Sequence, residues 1–193
     1  MPLILPKPGI FELEEKRSKF IGYCAPATTE PQAREIVAAI RAQHPKANHN
    51  VFAYATQAGG IIRMSDDGEP SGTAGMPVLN LFQKTGIIDY VCVVTRYFGG
   101  TLLGTGGLVK AYSRAAKGAM EDAGPEELII KTLYTVTCDY NRFDQVKYNF
   151  DKLGIPIVNA EFTTHCTLLV EVTEAQQPEF LDGKIYTAVE VVG

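Results

Sequence analysis

The sequence predicts two small mixed α/β domains joined near Gly124-Pro125, one over residues 1–127 and one over residues 128–193. Three observations predict this. The strongly apolar stretch from Ile87 to Thr95 reads as a strand buried on both faces or nearly so, which calls for helices on each side of a sheet. Glycine followed closely by proline, the signal that stops a helix, occurs at Gly124-Pro125 and again at Gly154 and Pro156. After residue 128 the hydrophobic periodicities run β, α, β, β, α, β, the split-βαβ order of a ferredoxin-like domain. At 193 residues and 46% hydrophobic, the chain has enough apolar surface for one large core or two small ones.

Gly9 to Ala25 reads as a hairpin: Phe11 and Leu13 alternate, the charges of Glu14 to Lys19 form the bend, and Phe20-Ile21-Gly22-Tyr23 returns. A helix follows, with Thr29 as N-cap, Pro31 in the first turn and Ala33, Ile36, Val37 and Ile40 at helical spacing. Asn50 to Thr56 is strand-like, and Ala58-Gly59-Gly60 turns the chain into Ile61-Ile62-Arg63-Met64. After a loop from Ser65 to Gly75, a short helix through Val78, Leu81 and Phe82 ends at Gly86. The strand Ile87–Thr95, a second loop from Gly99 to Gly107 and a helix from about Leu108 to Asp122 complete the first domain. In the second, Leu133–Cys138 is a strand, and Phe143, Val146, Phe150 and Leu153 mark a helix. Val158, Ala160 and Phe162 alternate as one strand, and Leu168, Val170 and Val172 as the next. Thr173 caps a short helix interrupted by Pro178 and ended by Gly183, and Ile185 to Val191 is the last strand.

Composition removes several classes of function. The apolar runs are strand-sized, far short of the roughly 18 residues of a membrane span. The first nine residues carry three prolines and lack the basic start of a signal peptide, so the expectation is a cytoplasmic protein with no membrane partner. Cys24, Cys92, Cys138 and Cys166 are widely spaced in apolar contexts and read as buried free thiols. Neither they nor His44, His49 and His165 have metal-ligand spacing, so no metal and no cofactor is expected. Residues 1–127 carry 13 basic and 13 acidic side chains, whereas residues 128–193 carry 5 and 9, which makes the second domain a poor partner for phosphate.

Four features can carry chemistry. The run Ser65-Asp66-Asp67-Gly68-Glu69-Pro70-Ser71-Gly72-Thr73-Ala74-Gly75 gathers carboxylates and hydroxyls on a flexible backbone, suited to general-base work or cation binding; the alternative is an acidic turn that starts a helix. The run from Arg96 to Leu108, with Gly99, Gly100, Gly104, Gly106 and Gly107, joins a buried strand to a helix. Such a loop offers free backbone N–H groups and a positive dipole end to an anion, though it matches neither nucleotide-loop pattern; the alternative is tight packing. On the helix that follows, Lys110, Arg114 and Lys117 fall within about 60° of one another at 100° per residue, opposite Leu108, Tyr112, Ala115 and Ala119. From Tyr90 to Met120 the only charged residues are these three and Arg96, so the stripe reads as an anion-binding rim rather than a solvated face. His49 opens a strand in reach of both loops and is a catalytic candidate together with Asp66, Asp67 and Ser71; the alternative is a structural or exposed histidine.

His49-Asn50, the Ser65–Gly75 run and Arg96-Tyr97-Phe98-Gly99-Gly100-x-x-Leu103-Gly104-x-Gly106-Gly107-Leu108 together resemble the IMPACT family, in its bacterial YigZ-type form. The resemblance is strong over about residues 10–125. It implies an N-terminal domain like the ribosomal-protein domain 2 fold also found as domain IV of elongation factor G, and a ferredoxin-like C-terminal domain like domain V of that factor. It also implies a role in translation, because eukaryotic relatives blunt the starvation response by competing for a partner of an initiation-factor kinase. It supplies no catalytic residue. The first functional reading is therefore a non-enzymatic, translation-associated regulator that binds RNA, the ribosome or a translation factor through the glycine-rich, basic-rimmed surface. Two alternatives stand beside it: a small-molecule phosphotransferase or hydrolase using His49 with Asp66 or Asp67, and a purely protein-binding module.

Overall fold

The computed structural model describes residues 2–57, 59–182 and 186–192 and forms two compact units, residues 1–128 and 129–193. Ala58, Gly183 and Ile185, which the sequence places in a turn, at a helix end and in a strand, lie outside the described residues. The fold is a mixed α/β one throughout, a five-stranded sheet in the first unit and a four-stranded one in the second.

In the first unit, β1 (Leu3–Ile4) pairs with β7 (Glu126–Glu127). The main sheet holds β2 (Gly9–Glu15), β3 (Ser18–Pro26), β4 (His49–Thr56), β5 (Ile61–Ser65) and β6 (Tyr90–Tyr97) in the order β2-β3-β6-β4-β5, all antiparallel. Helices α1 (Glu30–Gln43), α2 (Gly75–Thr85) and α3 (Thr105–Ala123) cover it on both faces. The period of 2 decides which side chain serves which layer. Phe20, Cys24, Val51, Ala53, Cys92 and Val94 pack with α2 and α3, whereas Ala25, Tyr54, Val91 and Val93 pack with Ala33, Val37 and Ile40 of α1. Thr29 caps α1, its hydroxyl accepting from the Gln32 amide, with Pro31 in the first turn. Small residues Ala111, Ala115, Ala116 and Ala119 let α3 lie close to β2 and β3, and the Tyr112 ring meets Phe20 edge-on at 5.2 Å.

Several boundaries differ from expectation. The hairpin bend narrows to Lys16-Arg17, both at positive φ, as a two-residue turn between twisted strands requires. The central strand starts at Tyr90 rather than Ile87, because Ile87 and Ile88 are engaged with Leu3 of β1 and Asp89 turns the chain at φ 51°. It then runs past Thr95 to Tyr97, so Arg96 lies inside the sheet. Helix α3 begins three residues before Leu108, directly after the glycine-rich loop.

The second unit contains β8 (Lys131–Cys138), α4 (Phe143–Leu153), β9 (Ile157–Phe162), β10 (Cys166–Thr173), α5 (Gln177–Asp182) and β11 (Ala188–Val191). Its sheet order, β11-β8-β10-β9, is the fourth-first-third-second arrangement of a ferredoxin-like domain. The core gathers Val136, Val146, Phe150, Leu168, Val170 and Phe180. Two local expectations are corrected. Val158 is exposed because a register shift opposite Leu169 and Val170 displaces it and brings Ile157 to the core instead, while Ala160 packs as the alternation requires. Phe162, in regular register with Cys166, is exposed at the end of β9 with its ring 5.3 Å from that of Phe143. Pro178 does not interrupt α5 but sits in its first turn, where its missing N–H costs nothing. All four cysteines are free and buried, and they face each other across strands as Cys24–Cys92 and Cys138–Cys166. Among the described residues no helix is long and apolar enough to cross a membrane.

Candidate functional site

Strand register brings the first site residues together. His49 on β4 lies directly opposite Arg96 on β6, and Arg96 lies opposite Phe20 on β3. All three continue the face that packs against α2 and α3. At this end of the sheet that layer is not filled by apolar side chains. Arg96 is buried, with its guanidinium 5.4 Å from the ring centres of both Phe20 and Phe98. Its Nη1 donates to Glu69 Oε1 at 2.6 Å, and its Nη2 donates to the Ser18 hydroxyl. The Tyr112 hydroxyl from α3 donates to the same Glu69 oxygen at 2.7 Å. Burial, then the hydrogen bond and charge of Glu69, push the Tyr112 phenol far above the ordinary tyrosine range, so it stays protonated and donates.

His49 completes the group. Its Nδ1 lies 2.8 Å from the Asp67 carbonyl oxygen. A carbonyl only accepts, so Nδ1 carries the proton and Nε2 of the neutral ring is left as an acceptor. Nε2 lies 3.7 Å from Glu69 Oε1, beyond hydrogen-bond range.

A cavity of about 430 Å³ opens beside this cluster. His49, Glu69, Pro70 and Arg96 line one part of it, and Phe98, Leu102, Leu103, Gly104, Thr105 and Leu108 line the rest. Both glycine-rich loops and the start of α3 therefore share one concave surface. Gly104 precedes α3 at φ 73°, a conformation that favours glycine, and offers no side-chain cap. Leu108 is the first residue of α3 to bond backward, to the Gly104 carbonyl, so the amides of Thr105, Gly106 and Gly107 have no protein acceptor among the described residues. The glycines divide by role. A Cβ on Gly99 would overlap the Arg17 backbone, so that glycine is needed for packing, whereas a Cβ on Gly106 would meet nothing within 4 Å.

The remaining candidates fall elsewhere. Asp66 accepts from the amides of Gly72, Ala74 and Gly75 and so folds its own loop onto the start of α2. Asp67, at φ 46°, accepts from the Asn50 amide at 2.6 Å and from Arg41 at 2.7 Å. Both carboxylates are occupied in holding the loop, and Ser71 is exposed and does not line the cavity. His49 thus meets Asp67 through the backbone carbonyl, and the carboxylate nearest its ring is Glu69. Arg96 belongs to the site, but its charge is committed inside the protein and, contrary to expectation, does not form a surface rim. The basic stripe is exposed as expected but not free of acids, because Arg114 pairs with Glu15 at 3.1 Å and Lys117 with Glu121 at 3.4 Å. Lys110 has no ion pair among the described residues, and none of the three lines the cavity. Sequence reasoning passed over Glu69 and Tyr112. The available signal was the coincidence of an unpaired carboxylate in one loop with an unpaired arginine on a buried strand. Among the described residues no cluster of three or more metal-ligating side chains forms.

Comparison with known proteins places this architecture. Residues 16–120 match the Impact N-terminal domain, and residues 136–182 match a domain of unknown function, DUF1949. An IMPACT family member of Haemophilus influenzae is 35% identical over 175 residues, covering 89% of this chain and 85% of the relative. The IMPACT family member YigZ of Escherichia coli is 34% identical over 181 residues, covering 92% and 89%. A solved structure described as a hypothetical protein superposes with a TM-score of 0.64 at 31% identity, covering 99% of this chain and 96% of that one. The Impact domain spans both loops, the strand that carries Arg96 and most of α3, and relatives of this similarity extend through both domains: the chain belongs to the IMPACT family.

Proposed function

We propose that this chain is a translation-associated regulatory protein that acts by binding RNA, the ribosome or a translation factor rather than by turnover. The family resemblance supplies the translation setting, and the geometry supplies the binding chemistry. The observation that carries the reading is the open N-terminus of α3, whose first three amides lack acceptors and whose Gly104 and Thr105 line the same concave surface as both loops. Amides and helix dipole together favour phosphate. Lys110, Arg114 and Lys117 add positive charge on the outer face of the same helix. The pairs made by Arg114 and Lys117 are exposed, and such pairs are weak enough to exchange for phosphate. The test is crosslinking from cells with RNA, ribosomes and free translation factors resolved separately. Crosslinks should map to residues 97–117; their absence, or their confinement to residues 129–193, overturns the reading.

A second reading, an enzyme acting on a small molecule, is favoured by one observation. His49 has its tautomer set by a backbone carbonyl and lines a concave surface beside a buried carboxylate, an arrangement suited to proton transfer. Turnover that disappears in His49→Ala with folding intact would establish this reading in place of the first.

A further inference from the structure

We infer that the cavity is a site for a phosphate monoester carried on a flat ring, such as a nucleoside monophosphate or the 5′-phosphorylated end of an RNA strand. The inference deepens the proposed function and rests on the loop surface being the binding surface.

Size and lining set the ligand class. About 430 Å³ lies within the range of small-molecule sites and suits a mononucleotide better than a folded partner. The polar groups sit at two places. One is the start of α3, a 19-residue helix with no cap and three amides without acceptors, of which Thr105 lines the cavity. The second is the buried cluster. Arg96, its side chain 6% exposed, lines the cavity and keeps Nε buried with no partner among the described residues. Because Glu69 offsets the charge of Arg96, this wall is close to neutral, while the amides supply the attraction for an anion. Phe98, 44% exposed, and Leu102, 81% exposed, line the same cavity. Large exposed apolar side chains beside a hydrogen-bonding cleft fit the face of a ring. Gly106 supports the assignment independently of the packing. Glycine in a helix costs stability relative to alanine, and nothing in the fold requires its lack of a side chain. An open backbone at that position leaves room for a phosphate to reach the amides.

The experiment uses the full chain labelled with 15N. It is titrated with adenosine monophosphate, adenosine, and one RNA oligonucleotide prepared with a 5′-phosphate or a 5′-hydroxyl. The monophosphate should shift the amides of Thr105, Gly106 and Gly107, and adenosine should not. If the phosphorylated oligonucleotide also shifts them, the source is an RNA end; if only the monophosphate does, it is a free nucleotide. Gly106→Asp places a carboxylate at the same amides and should lower affinity for the monophosphate at least tenfold without lowering Tm. Phe98→Ser should weaken the monophosphate but leave any binding of inorganic phosphate unchanged. No shift of these amides by millimolar monophosphate overturns the inference. So does equal binding of the hydroxyl and phosphate oligonucleotides, which would mean internal phosphodiesters are read; in that case the RNA-binding reading survives and this one fails.

Discussion

Among the described residues, Glu69 and Arg96 form the only ion pair in which both side chains are buried, at 4% and 6% exposure with 2.6 Å between Oε1 and Nη1. One comes from a loop and the other from the central strand, so the pair ties the Ser65–Gly75 loop to the sheet. Desolvation makes such a pair costly to break from one side. Arg96→Met leaves a buried carboxylate facing Tyr112 alone and should lower unfolding free energy by about 3–5 kcal/mol. The double variant Glu69→Leu/Arg96→Met should recover most of that loss. Urea unfolding of the four proteins measures the coupling; strictly additive losses would show that the pair does not act as a unit.

Tyr112 gives the site a pH signature. Its pKa is raised in the folded protein by burial and by Glu69. The unfolded phenol ionises near pH 10, whereas the folded one holds its proton, so above that pH the unfolded state binds fewer protons. Stability from this group is present below pH 10 and falls as pH rises, by about 1.4 kcal/mol per unit. Tyr112→Phe removes the dependence. The stability difference between parent and variant should therefore shrink between pH 10 and 11.5; a constant difference contradicts the assignment.

The two kinds of loop glycine predict opposite outcomes. Gly99→Ala forces a methyl group into the Arg17 backbone and should destabilise by about 1–3 kcal/mol. Gly106→Ala meets no neighbour and should stabilise by about 0.5 kcal/mol while weakening ligand binding. Thermal unfolding and phosphate titration on the same two variants check both halves.

Much of this was legible in the sequence, for reasons that differ by residue. The Thr29 cap, the Gly86, Gly124 and Gly154 stops and the period of 2 through Cys92 and Val94 act locally, so local pattern reveals them. The convergence of the two loops followed from both lying at element ends. What stayed hidden depends on register across the sheet. Nothing near Arg96 in the chain shows that Glu69, 27 residues away, neutralises it, or that Glu15 reaches Arg114. Asp66 and Asp67 looked like chemistry because three carboxylates lay together, yet two of them serve backbone amides. The inward position of Val158 was misjudged because one register shift displaces it from the alternation that Ala160 follows.

The thiols test the packing of both domains at once. Burial pushes the Cys24 and Cys138 thiols up from their ordinary range, which keeps them protonated at neutral pH. A thiol reagent such as DTNB should titrate no cysteine in the native protein within minutes, and all four after guanidinium denaturation. Rapid native labelling would contradict the cores described.

The central claim is that phosphate is held at the start of α3 with help from the charges along that helix. The most direct measurement is the salt dependence of RNA and ribosome binding by the parent and by Lys110→Gln/Arg114→Gln/Lys117→Gln, a variant that retains length and helix propensity. Each phosphate contact removed should reduce the log–log slope by about 0.7–0.9, so the triple variant should bind more weakly and with a slope shallower by up to about two to three units. Equal affinity and equal slope for the two proteins at every salt concentration would contradict the account and leave the stripe an ordinary solvated face.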